Sequence, residues 1–559
     1  MSASTGQGLG TILWWAARIA LPYAVVVVRR HLDCVYILQL ERYKPDRYGR
    51  WLRGHWRQLI PGLEIALQLL LVVSAPLLIV RLGMHWAAAY LLWLAAGHLI
   101  FWRHRSLQVS QRLQYTTRAV RLSLAAFGMS GLLGAAYVGL VVASLPPLDL
   151  PAGLTIGAMG AAAWVGIFAP GIVLLAAYAV RPVERRIYQR FLGEADRRIR
   201  TFPGRVIGIT GSYGKTTTKF ITADLLAAKY RVLKTPDGVN TTMGITRIIR
   251  EELSDLHEIF VVEVAAYGPG EIREVCEILR PRLGILTSVG VQHLERFGTP
   301  ARIAEAKYEL LASLPPGGTG VINADDPVCL ELAERARAEG KRVLLYGMGE
   351  GTGDLAVRGV DVKVSGRGTR FRVITGQGAS ADYETRLLGR WNLSNILAGI
   401  AAAVEWGVPL EAMQDAVAAL RPAPRRLEVR EEAGIVKILD IANANPRGAQ
   451  MALEVLAQFT GGSRILITPG MVELGPIEAE ENRRFGQAAA AVCDYVVLVG
   501  PEQTRPIRDG LADGGFLQDR ILVARNAEEV ADRLAGVVRP GDILLYENRL
   551  PDTYLEVGV

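Results

Sequence analysis

Cysteine is scarce in this chain. Its four cysteines, Cys34, Cys276, Cys329 and Cys493, lie far apart and form no CxxC pair. That spacing argues against a zinc ribbon and a disulfide framework, and leaves reduced thiols packed as small apolar residues. Acidic residues are scarce in one region. Residues 1–200 carry 22 Lys+Arg against 8 Asp+Glu, whereas the remainder carries 41 against 47. A basic excess can point to nucleic acid. Here it lies between long apolar runs, so a membrane accounts for it and no nucleic-acid partner is expected. Lysine and arginine are absent from 145–156, LPPLDLPAGLTI. No basic segment precedes the first apolar run, so no cleavable signal peptide is expected.

What is present in the first third is apolar sequence. Five stretches, roughly 8–28, 59–80, 84–102, 122–144 and 157–180, are long enough to cross a bilayer. The arginine-rich segments 29–57 and 103–121, and the RPVERR run after 180, mark one side of the membrane. The positive-inside rule places them, and everything downstream, in the cytoplasm, with the N-terminus outside. Arg18 and Pro22 interrupt the first stretch, which either spans or lies in the interface. In the second case four spans remain and the N-terminus is inside. Glu64, near the start of the second stretch, is wetted by headgroups or is an intramembrane functional carboxylate. Segment 29–57 interleaves Tyr, Trp and Arg, which suits an interfacial anchor or a site for a lipid phosphate. The expectation is a transmembrane domain over 1–182 of about five helices, in contact with membrane lipids. An amphipathic connector over 183–204 follows, ended by FPG.

The soluble part opens with RVIGITGSYGKTTTKF at 205–220. It reads as strand, glycine-bounded loop and helix, the order that a phosphate cradle needs. Backbone N–H groups and the helix N-terminus receive the phosphates, and Lys215 neutralises them. The Thr216 hydroxyl is placed to ligate magnesium. Ile209 stands five residues before Gly214, where the general phosphate-loop pattern has glycine. The loop alone therefore does not decide the matter.

In the shorter form TGSYGKT, residues 210–216 resemble the ATP loop of the Mur ligase family. Similar blocks follow in order. TPDGVNTTMGIT (235–246) is followed by VVEVAAYGPGEI (261–272), which carries Glu263. LTSVGVQHLERFGTPARIAEAKYELL (286–311) carries His293 and Lys307, and VINADDP (321–327) carries Asn323. LLGRWNLSNILAGIAAA (387–403), PAPRRLEV (422–429) with Arg426, LDIANANP, TPGMVELG and GDILLYENR complete the series. NANP and MVELG most resemble the dipeptide-adding branch. The resemblance implies ATP and Mg2+ as cofactors. It assigns the nucleotide to Gly211, Ser212, Gly214, Lys215, Thr216, Thr217, Asn323, Arg426 and Asp440. It assigns the metal to Thr216, Glu263, His293 and Lys307. Lys215, His293, Lys307 and Arg426 form the implied catalytic set, with Lys307 carbamylated. Asn443 and Asn445 are implied near the incoming amine. Taken singly, His293 reads as a surface-loop histidine, Lys307 as a solvated helical lysine, and the two asparagines as turn chemistry before Pro446.

The fold class expected is an α-helical membrane domain followed by two α/β domains. The central ATP-binding domain covers 205–420, with a β-rich insert near 355–386 where the sequence alternates as strands do. The C-terminal domain, 421–559, alternates apolar strands with helices and should be doubly wound and Rossmann-like.

Two departures bear on substrate. Family members that use UDP-linked substrates carry a soluble uridine-binding domain before the ATP loop. Here about 25 residues separate the last apolar stretch from the first strand of the ATP domain, and the membrane half stands in that domain's place. LYENRLPD stands where the branch has a lysine-glycine-serine-arginine run, and Ile441 and Ala442 stand where it has serine and tyrosine. The expected function is an ATP-dependent amide ligase in a bacterial-type cell membrane, multi-pass, with cytoplasmic ligase domains. It acts through an acyl phosphate on a cell-wall precursor. D-alanyl-D-alanine or an amino acid is the candidate amine, and a polyprenyl-linked precursor the candidate acceptor. A poly-γ-glutamate-type ligase and a non-catalytic ATP-binding scaffold remain as alternatives.

Overall fold

The computed structural model describes residues 25, 27–59, 65–66, 113–144, 150–349, 354–366, 368–441 and 445–549. The first three expected spans lie almost entirely outside these residues, and Glu64 and Asn443 wholly outside. The chain divides into two compact units, one up to Ile187 and one over Tyr188–Leu550.

In the first unit, residues 27–40 are helical, a turn holds Arg42 and Tyr43 at positive φ, and a helix spans Pro45–Leu59. Among the described residues, two helices are long and apolar enough to cross a membrane, by length and composition. They are Thr117–Ser144 and Leu150–Thr201, and they contain the expected stretches 122–144 and 157–180. Leu124, Leu132, Leu140, Trp164, Phe168 and Leu175 expose their side chains on them. Where the two helices meet, small residues allow close approach. A Cβ on Gly157 would lie 3.1 Å from the Val138 Cα. The expected connector is not a separate element. Leu150–Thr201 runs on as one helix, with Pro170 and Pro182 inside it, and FPG follows its end.

The second unit begins with short apolar strands: β1 (Arg205–Thr210), β2 (Val232–Lys234), β3 (Ile259–Glu263), β4 (Leu283–Leu286), β5 (Thr319–Asn323) and β6 (Arg342–Gly347). Most of their residues are buried, so both sheet faces must be covered, the condition for a parallel sheet. Val206, Phe260, Val262, Leu286 and Ile322 enter the core on one face. Ile207, Ile209, Val261, Ile285 and Val321 enter the core on the other. The antiparallel strands β7 (Val357–Ser365), β8 (Gly368–Thr375) and β9 (Ser380–Thr385) form the expected insert and extend this sheet. Among the described residues its order is β2-β3-β1-β4-β5-β6-β7-β8-β9.

A second sheet contains β10 (Glu428–Glu432), β11 (Ile435–Asp440), β12 (Arg464–Thr468), β13 (Tyr495–Val499), β14 (Ile521–Ala524) and β15 (Ile543–Glu547). Its order is β10-β11-β15-β12-β13-β14, parallel except for β10. The insertion of β15 between β11 and β12 brings Asp440, Glu547 and Thr468 to neighbouring strand ends. The carboxyl ends of a doubly wound sheet are where ligands bind.

Two glycines set one helix crossing beside this sheet. A Cβ on Gly486 would lie 2.2 Å from the Ile507 carbonyl oxygen, and one on Gly510 would lie 1.9 Å from the Arg483 oxygen. Backbone cannot yield cheaply. Gly510→Ala should cost about 1–3 kcal/mol and lower the midpoint of the C-terminal domain's thermal transition. An unchanged midpoint would contradict this packing.

Candidate active site

The loop Gly211–Gly214 joins β1 to the helix Lys215–Leu226. Gly214 adopts φ +77°, and a Cβ there would sit 2.4 Å from the Asn395 Oδ1. At Gly211, with φ +152°, a Cβ would sit 2.0 Å from the Thr287 Oγ1. Only glycine fits either place. No side chain caps the helix that follows, so its first N–H groups face the loop as an anion site. Ser212 is engaged by the loop after β4. Its N–H donates to the Ser288 carbonyl, and its hydroxyl bonds with the Gly290 backbone at 2.9 and 3.0 Å. Thr217 is buried in the first helical turn.

A polar cluster closes around Glu263, the last residue of β3. The Thr216 hydroxyl donates to Glu263 Oε2 at 2.8 Å and the Asn240 amide to Oε1 at 3.0 Å. Lys219 Nζ lies 3.7 Å away and donates to the Pro236 carbonyl. Burial opposes ionisation of Glu263, but Lys215, Lys219 and the two hydrogen bonds outweigh it and hold its carboxyl below its ordinary value. Lys215 donates to the Ser212 carbonyl at 2.9 Å. Burial pulls its ammonium down to about 8, with Glu263 opposing. Burial and the Lys215 charge bring the Lys307 ammonium down to about 7. The isolated reading of Lys307 as a solvated residue fails, because its side chain is buried.

His293, at φ +59°, is half-buried rather than fully exposed on a loop surface. Its Nδ1 pairs with the Glu473 carboxylate, and its ring lies 4.7 Å from that of Tyr267. Arg296 donates twice to the other Glu473 oxygen, at 2.7 and 3.0 Å. Although burial opposes it, these partners hold the Glu473 carboxyl at about 2. With Nδ1 on the carboxylate, Nε2 keeps its lone pair for another ligand. Glu473 belongs to the loop after β12, so this contact ties the C-terminal domain to the central one. Arg447–Asp326, at 3.1 Å, is a second tie.

Asn323, at the end of β5, donates to the Thr287 carbonyl at 2.8 Å and accepts from the Asp325 N–H at 2.9 Å. Asn445 caps the helix Pro446–Leu456, accepting from the Gly448 N–H at 2.8 Å. The structure therefore shows the turn-chemistry reading of Asn445. Arg426 interacts electrostatically with both Asp440 and Lys215, and its buried Nε has no hydrogen-bond partner among the described residues. Burial raises the Asp440 carboxyl to about 6 against the Arg426 charge. Glu547 lies beside Asp440 in register, is buried, and accepts from the Thr468 hydroxyl at 3.0 Å.

Sequence reasoning missed Glu473, Arg296 and Glu547. MVELG and YENR were visible as blocks, but neither names a partner 180 residues away.

Two residues and the backbone cradle meet the needs of magnesium and nucleotide. Thr216 and Glu263 supply hard oxygen donors below an N–H cradle. Among the described residues, no three His, Cys, Asp or Glu side chains converge. An ion that keeps waters and phosphate oxygens needs no such cage.

Comparison with known proteins agrees with this geometry. The Mur ligase middle domain matches residues 209–403, and the Mur ligase glutamate ligase domain matches 425–546. The Escherichia coli UDP-N-acetylmuramoyl-tripeptide–D-alanyl-D-alanine ligase is 32% identical over 320 residues, covering 57% of this chain and 69% of that protein. The Synechocystis sp. protein of the same name is 30% identical, covering 61% and 71%. The chain belongs to the Mur ligase family. Among solved structures, MurF from Acinetobacter baumannii superposes with a TM-score of 0.59 at 25% identity, covering 66% of this chain and 78% of that one. MurF from Thermotoga maritima in complex with ADP gives 0.58 at 28%, covering 66% and 81%. This Mur ligase is thus an ATP-dependent enzyme of peptidoglycan biosynthesis, with ATP and Mg2+ as cofactors.

Asp440 yields a test of the site's electrostatics. Its folded value of about 6 stands above the ordinary 3.8. The protonated form is therefore favoured on folding, and stability should fall as pH rises from about 4 to 6, by about 3 kcal/mol at most. Asp440→Asn should remove that component. Denaturation of both proteins at pH 4, 5 and 6 should give a difference that changes across the window. A constant difference would contradict the raised carboxyl.

Proposed function

We propose that the chain is a membrane-anchored Mur ligase that joins D-alanyl-D-alanine, or a related amine, to the peptide of a lipid-carried cell-wall precursor. The observation that carries the nucleotide half is the Thr216–Glu263 hydrogen bond beneath the glycine loop, with half-buried Lys215 beside it. In this reading 205–420 is the ATP domain, 421–559 the amine-side domain and 1–182 the membrane domain.

Bound Mg2+ would neutralise phosphate charge and polarise the transferred group. Gly211, Ser212 and Gly214 shape the cradle, and the N–H groups of Thr216 and Thr217 complete it. Lys215 would exchange the Ser212 carbonyl for the phosphates, and Glu263, Thr216, His293 and Lys307 would hold the metal. An amine near 7 leaves a share of Lys307 unprotonated, the form that adds CO2 to give a carbamate. Asn323 fixes the loop after β4 beside the nucleotide. Arg426 and Asp440 bring the C-terminal domain to the nucleotide, and closure keeps water from an acyl phosphate. Asn443 and Asn445 flank the amine side, Asn445 by shaping the turn.

The amine is inferred from the relatives, which are UDP-N-acetylmuramoyl-tripeptide–D-alanyl-D-alanine ligases. The lipid-carried acceptor is inferred from chain length. The helix Leu150–Thr201 ends three residues before β1 begins at Arg205, so no uridine-binding domain fits between them. Two apolar helices of spanning length support the anchor.

Phosphate release by detergent-purified protein tests the reading. With ATP, Mg2+ and D-alanyl-D-alanine, release is expected with a polyprenyl-linked tripeptide acceptor. Release only with a UDP-linked acceptor would refute the lipid-carried substrate. Lys215→Ala should lower release at least about 100-fold, because preorganised charge on the transferred group is lost; an active variant would sink the ligase mechanism. Glu473→Gln should raise the Mg2+ concentration for half-maximal release by about tenfold or more, through a misoriented His293. An unchanged Mg2+ dependence would remove His293 from the metal.

A further inference from the structure

The first unit contains a cavity of about 540 Å³ that the ligase chemistry does not use, lined in part by Asp46, Gly49, Arg50, Arg53, Leu174 and Tyr178. On the helix Pro45–Leu59, positions 46, 49, 50 and 53 fall on one stripe at helical spacing. Tyr48 and Trp51, elsewhere on the helix, are buried in a core with Leu122, Val173 and Ala176. The helix is therefore held by its apolar side and presents the stripe to the cavity. Gly49 faces Leu174 across the cleft, where a Cβ would stand 3.9 Å from the Leu174 Cδ2. The only acid on the stripe is engaged, because the Tyr178 hydroxyl donates to the Asp46 carboxylate at 2.6 Å. Among the described residues, Arg50 and Arg53 are exposed and have no hydrogen-bond or ion-pair partner.

The opposite wall comes from the helix Leu150–Thr201, which carries no charge over 157–180 and then Arg181, Arg185 and Arg186. Leu174 and Tyr178 lie in the last two turns before that change. A tyrosine at such a boundary marks the headgroup level of a bilayer. At that level the anion at hand is a phosphate ester on a lipid, and guanidinium groups bind phosphate through paired N–H donors. The volume falls in the range of small-molecule sites.

We infer that Arg50 and Arg53 form a binding site for the phosphate of a lipid headgroup, with Leu174 and Tyr178 receiving its apolar neighbour. The inference rests on the reading of the two apolar helices as membrane spans. The same chemistry comes from a bulk anionic phospholipid or from the diphosphate of a polyprenyl-linked acceptor.

Full-length protein in neutral detergent would be titrated with phosphatidylglycerol, polyprenyl diphosphate and phosphate-free diacylglycerol, with bound lipid read by native mass spectrometry. Both phosphate lipids should bind and diacylglycerol should not. Arg50→Gln with Arg53→Gln should weaken binding about tenfold or more. Arg50→Lys with Arg53→Lys should keep most of it. Displacement of phosphatidylglycerol by equimolar polyprenyl diphosphate would identify the substrate anchor as the ligand. The reverse preference would identify bulk lipid. Equal binding by the double glutamine variant and the native chain, or equal binding of diacylglycerol, would overturn the site. Carbonate extraction of cell membranes tests the anchoring separately, since an extracted chain refutes the spans whatever the lipid titration shows.

Discussion

The catalytic half is organised around one buried carboxylate. Glu263 ends β3 with almost no exposed surface, and a charge in that position is costly unless every lone pair is met. It is met from two segments at once. The phosphate-loop helix supplies Thr216 and Lys219, and the loop after β2 supplies Asn240. Each partner is thereby fixed in turn. Thr216 fixes the first turn of its helix, and that turn fixes the cradle. Lys219 draws the loop after β2 inward through the Pro236 carbonyl. Removing the carboxylate would unfasten the cradle and the metal side together, which is why they sit at the edge of the most buried part of the sheet.

A second carboxylate, Glu473, does similar work between domains. It reaches from the loop after β12 to His293 and Arg296 of the central domain. The orientation of His293 thus depends on the position of the other domain. Domain docking and site assembly become one event, which suits chemistry that must exclude water until both substrates are present.

Much of this was legible in the sequence. Strand, glycine loop and helix at 205–226 follow from apolar runs and from glycines that the backbone requires. The alternation near 355–386 read as a β-rich insert, and the structure builds it from three antiparallel strands. Lys215, Thr216 and Glu263 were legible because they lie at fixed offsets from strand ends. Glu473 and Glu547 were not, because their meaning comes from partners brought close only by the fold. Asn445 carried two readings, a substrate-side motif and turn chemistry before Pro446, and its bond to the Gly448 N–H displays the second without bearing on the first. The connector expected over 183–204 is helical up to Thr201, continuous with the apolar helix before it, although charge appears after 180. A change of solvent along a helix leaves no mark on its backbone hydrogen bonds.

The central position of β15 has a consequence for biosynthesis. β11 and β12 leave the ribosome well before the strand that joins them, and β15 follows every one of its sheet partners in the chain. Until Ile543–Glu547 emerges, the apolar edges around Ile438 and Leu466 have no neighbour between them. The late arrival of that strand both completes the sheet and carries Glu547 to its place beside Asp440. A nascent chain stalled before it would display two sticky half-sheets and no finished crevice. Quality control by proteolysis or chaperone capture then has a clear structural cue, and an incomplete enzyme has no means of turning over nucleotide.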